Sequence, residues 1–135
     1  MFGRKKARSP QKRIDSLIGA GTMVHGDVIF TGGLRIDGTV NGKVATKDNQ
    51  PGTLVIGELA RVEGEVRVSH VVINGAANGP VIANDYLELQ AKARVNGDVA
   101  YRTLEMHVGA IVEGKLMHSE PETASIVELK RASGE

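Results

Sequence analysis

A chain of 135 residues has room for one domain, and 41% hydrophobic content is enough for a buried core, yet there is no Trp and only two Phe and two Tyr. That scarcity of aromatics, beside 17 Gly, excludes an ordinary aromatic-centred core and asks for a thin aliphatic one. The absence of Cys excludes a disulfide framework and a thiolate metal site, and a net charge of +1 conceals an uneven distribution along the chain.

Residues 1–16 hold Arg4, Lys5, Lys6, Arg8, Lys12 and Arg13 against Asp15 alone. No apolar signal region follows, and no stretch approaches the roughly 20 apolar residues of a membrane helix. A basic flexible arm on a cytoplasmic protein is therefore expected over 1–16. Met1 and Phe2 beside Arg4, Lys5, Lys6 and Arg8 suit peripheral contact with anionic lipid, where each base near the surface contributes about 1 kcal/mol. A solvated tail is the competing expectation, and no nucleic-acid partner is expected.

From residue 17 onward the chain repeats itself. An apolar-x-Gly-x-apolar pentad occurs six times, centred on Gly26, Gly42, Gly64, Gly79, Gly97 and Gly114, with steps of 16, 22, 15, 18 and 17 residues. The one long step holds TKDNQPG at 46–52, which reads as an inserted loop. A second landmark, an aliphatic residue opening each unit, falls at Leu17, Leu34, Leu54, Val71, Leu87 and Leu104.

Within units the apolar residues alternate, as in Leu87, Leu89, Ala91, Ala93, Val95, Gly97, Val99 and Tyr101, then Leu104, Met106, Val108, Ala110, Val112, Gly114 and Leu116. Period 2 means strand. Alternation over some fifteen residues exceeds one ordinary strand, so the chain must bend while keeping one side inward. At roughly 3.3 Å per residue, a 17-residue unit spans about 56 Å, enough for a triangular coil with sides of about 19 Å. Stacked at about 4.8 Å, six such coils give a parallel β-helix roughly 29 Å long. Each pentad glycine is expected at an inward corner where a side chain does not fit. A hairpin sandwich is the alternative, but its turn clusters should recur every 8 to 12 residues, and only 46–52 is such a cluster. Residues 119–135 are expected as a flexible tail; within them the stretch 124–131 is a candidate cap for one end.

IGAGT at 18–22, GLRIDGTVNG at 33–42, LVIG at 54–57 and VNGDV at 95–99 together resemble the bactofilins, polymer-forming bacterial cytoskeletal proteins. The resemblance covers residues 17–116. It implies an all-β, single-domain, right-handed parallel β-helix, nucleotide-independent polymerisation through the helix ends, and filaments near the inner membrane. It also implies partners in cell-shape control such as peptidoglycan-modifying enzymes. One departure is Val112, which stands where the family often has Phe.

A β-helix has no sheet edge along its sides but exposes a whole coil at each end. The expected polymerisation surfaces are therefore the first coil (Leu17, Ile18, Met23, Val24, Val28, Phe30) and the last (Leu104, Met106, Val108, Val112, Leu116). The rival enzyme reading is a left-handed β-helix acyltransferase, because residues 18–25 resemble a hexapeptide-repeat coil with His25 as general base. Unequal coil lengths oppose it, since those repeats keep an 18-residue coil. A discrete dimeric β-helical regulator of cell division is the third class. His25, His70, His107 and His118 are too dispersed for a zinc motif such as H-E-x-x-H, and no phosphate-binding loop is present, so no catalytic, metal or cofactor residues are expected.

Overall fold

Among the residues described by the computed structural model, 13–119, every strand pairing is parallel. The strands sort onto three faces of a coil repeated six times. The first face holds Ser16–Ile18, Gly32–Ile36, Gly52–Ile56 and then the later halves of Val66–Ile73, Val81–Leu89 and Val99–Met106. The second is a six-stranded sheet of Met23–His25, Thr39–Asn41, Arg61–Glu63, Ala76–Asn78, Arg94–Asn96 and Ile111–Glu113. The third is made of Val28–Phe30, Val44–Thr46, the earlier halves of the three long strands and Leu116–His118. This is a parallel β-helix, as the repeat requires.

Register puts like upon like. The inward columns are Leu34-Leu54-Val71-Leu87-Leu104 and Ile18-Ile36-Ile56-Ile73-Leu89-Met106 on the first face. Val24-Val40-Val62-Ala77-Val95-Val112 lines the second, and Val28-Val44-Val66-Val81-Val99-Leu116 the third. In the middle coils Ile36, Leu54, Ile56, Ile73, Leu87 and Leu89 are fully buried. Burial of each such side chain stabilises the fold by about 1.5–3 kcal/mol. Branched aliphatics stack on their own kind without the bulk of a ring, so the near absence of aromatics follows from the narrow interior.

The corner between first and second faces has two forms. Coils 1, 3, 5 and 6 turn through four residues closed by Thr22 N–H to Gly19 O, Ala60 to Gly57, Ala93 to Gln90 and Ala110 to His107. Coils 2 and 4 turn through Asp37-Gly38 and Asn74-Gly75 instead. The longer turns break the alternation: Ala91 and Val108, on the inward register by simple counting, stand at turn apices, and Val108 is 96% exposed.

The pentad glycines line the second-to-third corner, but the space they lack is axial and not interior. A Cβ on Gly97 would stand 2.5 Å from the carbonyl oxygen of Gly79, one coil earlier, and Gly97 also adopts φ +152°. Interstrand bonding runs unbroken round this corner, with Gly64 N–H donating to Asn78 O and Val66 N–H to Pro80 O, both at 2.9 Å. A side chain would force the coils apart exactly where they are bonded. The insertion at 46–52 leaves this corner's neighbour as a short 3-10 turn, Lys47–Asn49, with Asp48 and Asn49 left-handed. Buried Ser69 ties it down, its hydroxyl accepting from Gly52 N–H at 3.0 Å and donating to Gly52 O at 2.9 Å.

Gly26 occupies the same corner at φ +133° but has nothing beneath it within 4 Å. Gly97→Ala is therefore expected to lower stability by about 1–3 kcal/mol more than Gly26→Ala, since only the former adds a backbone collision to the cost of left-handed φ. Thermal unfolding followed by circular dichroism compares them; equal losses would assign the whole effect to φ.

Candidate assembly surfaces at the two ends

The middle coils are finished on every side. Their strands bond to neighbours above and below, and their outward charges are paired: Arg35–Asp37 at 2.9 Å, Arg61–Glu63 at 2.8 Å, Arg67–Glu65 at 2.9 Å and Lys92–Glu58 at 2.8 Å. The Glu63 carboxylate lies below its ordinary pKa because Arg61, and then Asn78 of the next coil, hydrogen-bond to it. Arg35 is raised by its bond to Asp37. Such exposed pairs add little stability; they make the flanks soluble.

The end coils differ in two respects. Among the described residues, Ser16–Ile18, Met23–His25 and Val28–Phe30 each have a strand partner on one side only, as do residues 103–106, Ile111–Glu113 and Leu116–His118 at the other end. Each end thus presents a row of backbone groups with no strand beyond it, around an apolar interior. Ile18, Val24 and Val28 are half-buried at the first end, and Leu104 and Val112 at the last. Met106 and Leu116 are exposed although both occupy inward columns.

Register separates the remaining candidate residues. Ser16, not Leu17, lies under Leu34; Leu17 pairs with Arg35 and faces outward, 61% exposed. Met23 pairs with Thr39 and also faces outward, 57% exposed. Phe30 is only 8% exposed, already packed in the core beside the insertion, and Val108 sits on a turn apex. The structure thus brings Ile18, Val24 and Val28 together at one end and Leu104, Met106, Val112 and Leu116 at the other. Leu17, Met23 and Val108 lie on the rims. His118 completes the last coil, its ring 5.8 Å from that of Tyr101.

Three rim residues were not among the candidates: Ile29 on the first coil, Ile111 and Met117 on the last, all exposed. A signal for them existed in the sequence. The outward column Met23-Thr39-Arg61-Ala76-Arg94-Ile111 is polar or small in the body and bulky apolar at both ends, while Ile29-Ala45-Arg67-Ile82-Ala100-Met117 is apolar throughout except at Arg67. Among the described residues, the exposed large hydrophobics apart from Leu59 belong to the end coils or to Ile14 beside the first. Met1, Phe2, Arg4, Lys5, Lys6 and Arg8, and the candidate cap at 124–131, lie outside the described residues.

His25, the general base of the acyltransferase reading, is exposed on the first coil with its Nδ1 3.4 Å from the Asn41 amide nitrogen. One mixed cluster does form elsewhere: Glu88, Glu105 and His107 bring ligand atoms within 4.8 Å of one another on the outside of the first face. Tyr86 borders it, its hydroxyl donating to Glu105 Oε1 at 2.5 Å.

The family model described as "Bactofilin: Polymer-forming cytoskeletal" matches residues 16–117. Among curated proteins, bactofilin BacO of Myxococcus xanthus (strain DK1622) is 28% identical over 102 residues, covering 76% of this chain and 78% of the relative. No solved structure is a significant match. Among the described residues, no helix is long and apolar enough to cross a membrane.

The bond to Glu105, and then burial, push the Tyr86 hydroxyl up from 10.0 to about 12. The folded state thus favours the neutral phenol, a contribution complete below pH 10 and lost as pH rises towards 12. Ultraviolet titration of the folded chain is expected to show a late phenolate step that Tyr86→Phe removes; if the step lost in the variant lies near the ordinary 10.0, this bond is contradicted.

Proposed function

The chain belongs to the bactofilins, a polymer-forming cytoskeletal family, and from that premise we propose that it is a structural scaffold whose β-helices join end to end into nucleotide-independent filaments. In this reading the stacked coils, which begin with the strand Ser16–Ile18 and end with Leu116–His118, are the polymerisation domain, and the arm and tail expected on either side lie almost wholly outside the described residues. The carrying observation is the contrast between ends and body. Among the described residues, the apolar columns surface at Ile18, Val24 and Val28 and at Leu104, Met106, Val112 and Leu116, within strand edges paired on one side, while the flanks carry paired charges.

Size explains why the rims matter. A triangular coil with sides of about 19 Å encloses roughly 160 Å², far below the roughly 800 Å² per partner of a standard protein interface. Burial at about 25 cal/mol per Å² needs more apolar area than that cross-section supplies. Leu17, Met23 and Ile29 extend the apolar surface over all three sides of the first coil, and Ile111 and Met117 over two sides of the last. Main-chain bonds between edge strands supply the rest, as in strand addition generally. Like-to-like contacts, which the family resemblance favours, give a nonpolar filament.

The proposal includes a cytoplasmic location at the inner membrane through Met1, Phe2, Arg4, Lys5, Lys6 and Arg8, and a role in organising cell shape or peptidoglycan-modifying enzymes. One arm binds anionic lipid weakly, while a filament multiplies it. The acyltransferase and the dimeric cell-division regulator are the competing classes, and sedimentation without nucleotide separates filaments from discrete trimers or dimers.

Two experiments test these steps. Val24→Arg and Leu116→Arg each place a charge in an end column, and each is expected to leave folded monomers or dimers by negative-stain electron microscopy; undiminished filaments sink the end-contact mechanism. Deletion of residues 2–8 is expected to abolish pelleting of polymer with anionic liposomes, and unchanged pelleting removes the lipid role.

A further inference from the structure

Glu88 and Glu105 lie directly in register on adjacent coils, on the outside of the first face. Parallel stacking holds such residues about 4.8 Å apart, so the fold imposes two like charges on one another. Elsewhere on the surface Asp37, Glu58, Glu63 and Glu65 sit beside arginine or lysine. Here both carboxylates face His107, whose Nε2 lies 3.0 Å from Glu88 Oε2 and 3.4 Å from Glu105 Oε2. With a neutral imidazole the cluster carries two uncompensated negative charges.

We propose that Glu88, Glu105 and His107 form a binding site for a divalent transition ion of the Zn²⁺ type, which clasps the sixth coil to the fifth. The donor set is one imidazole nitrogen and two carboxylates from neighbouring coils, with all three ligand atoms within 4.8 Å of one another. That mixture suits zinc and similar borderline ions, whereas Mg²⁺ and Ca²⁺ prefer oxygen alone. All three residues reach solvent, so an ion has an open approach.

Second-layer groups already hold the carboxylates. Tyr86 donates to Glu105 Oε1 at 2.5 Å and leaves Oε2 turned toward His107, while the Gln90 amide donates to Glu88 Oε2 at 3.2 Å, the same oxygen that meets His107. A cation here cancels the stacked charges and crosslinks coil 5 to coil 6 beside the last end. Its benefit falls on the coil with least cover.

The test uses the tag-free, full-length chain titrated with ZnCl2 by calorimetry at about pH 7.5, where an ordinary imidazole is neutral. One saturable site per chain is expected, weakened at least about tenfold by His107→Ala and by Glu105→Gln, and unchanged in His25→Ala and His118→Ala. Circular dichroism verifies that each variant is folded. Co²⁺ reads the donor set without any variant: wild-type chain should shift its visible absorption away from that of the hydrated ion. Absence of saturable binding, binding that survives His107→Ala, equal loss in His25→Ala, or a Co²⁺ spectrum identical to the hydrated ion each overturns the site.

Discussion

In-register stacking of one coil upon the next is the constraint from which the rest of this molecule follows. Main-chain bonds fix the coil spacing at about 4.8 Å, so each strand side chain lies directly over its counterpart in the next coil. Inside, this selects slim aliphatics, as in the Ile36-Ile56-Ile73 column. At the second-to-third corner it selects glycine, because the carbonyl of one corner occupies the position of the next corner's Cβ. Outside, it makes an unpaired like charge costly and an i,i+2 ion pair such as Arg61–Glu63 convenient.

The same constraint separates ends from flanks. A column that is sealed in the middle must surface where the stack stops, and Met106 and Leu116 are exposed for that reason alone. What stacking does not require is the apolar rim. Met23, Ile29, Ile111 and Met117 occupy outward sites whose equivalents include Arg61, Arg67 and Arg94. Hydrophobic side chains at outward positions of the end coils are intelligible if those positions are covered in an assembly, and they match the area argument for a cross-section too small to hold by itself.

Much of this was legible in the sequence because the period of a solenoid is written into its spacing. The six glycine pentads and the columns from Leu34 to Leu104 were readable directly, and the long step correctly marked the insertion held by Ser69. Errors arose where local geometry departs from simple counting. Leu17 is aliphatic and stands near the expected step, but Ser16 holds the inward place because the rim itself is apolar. Val108 keeps the alternating count yet lies on a four-residue turn closed by Ala110 and His107, which rotates it outward. The Glu88, Glu105 and His107 cluster was hidden for a different reason: its members are brought together by coil stacking, so no contiguous motif announces them.

A cryo-electron microscopy reconstruction of the polymer measures the arrangement directly. Collinear β-helices are predicted, each advancing the filament by roughly 29 Å for six coils, with Val24 or Leu116 buried at every junction. A filament in which subunits lie side by side, with both end coils open to solvent, contradicts the account.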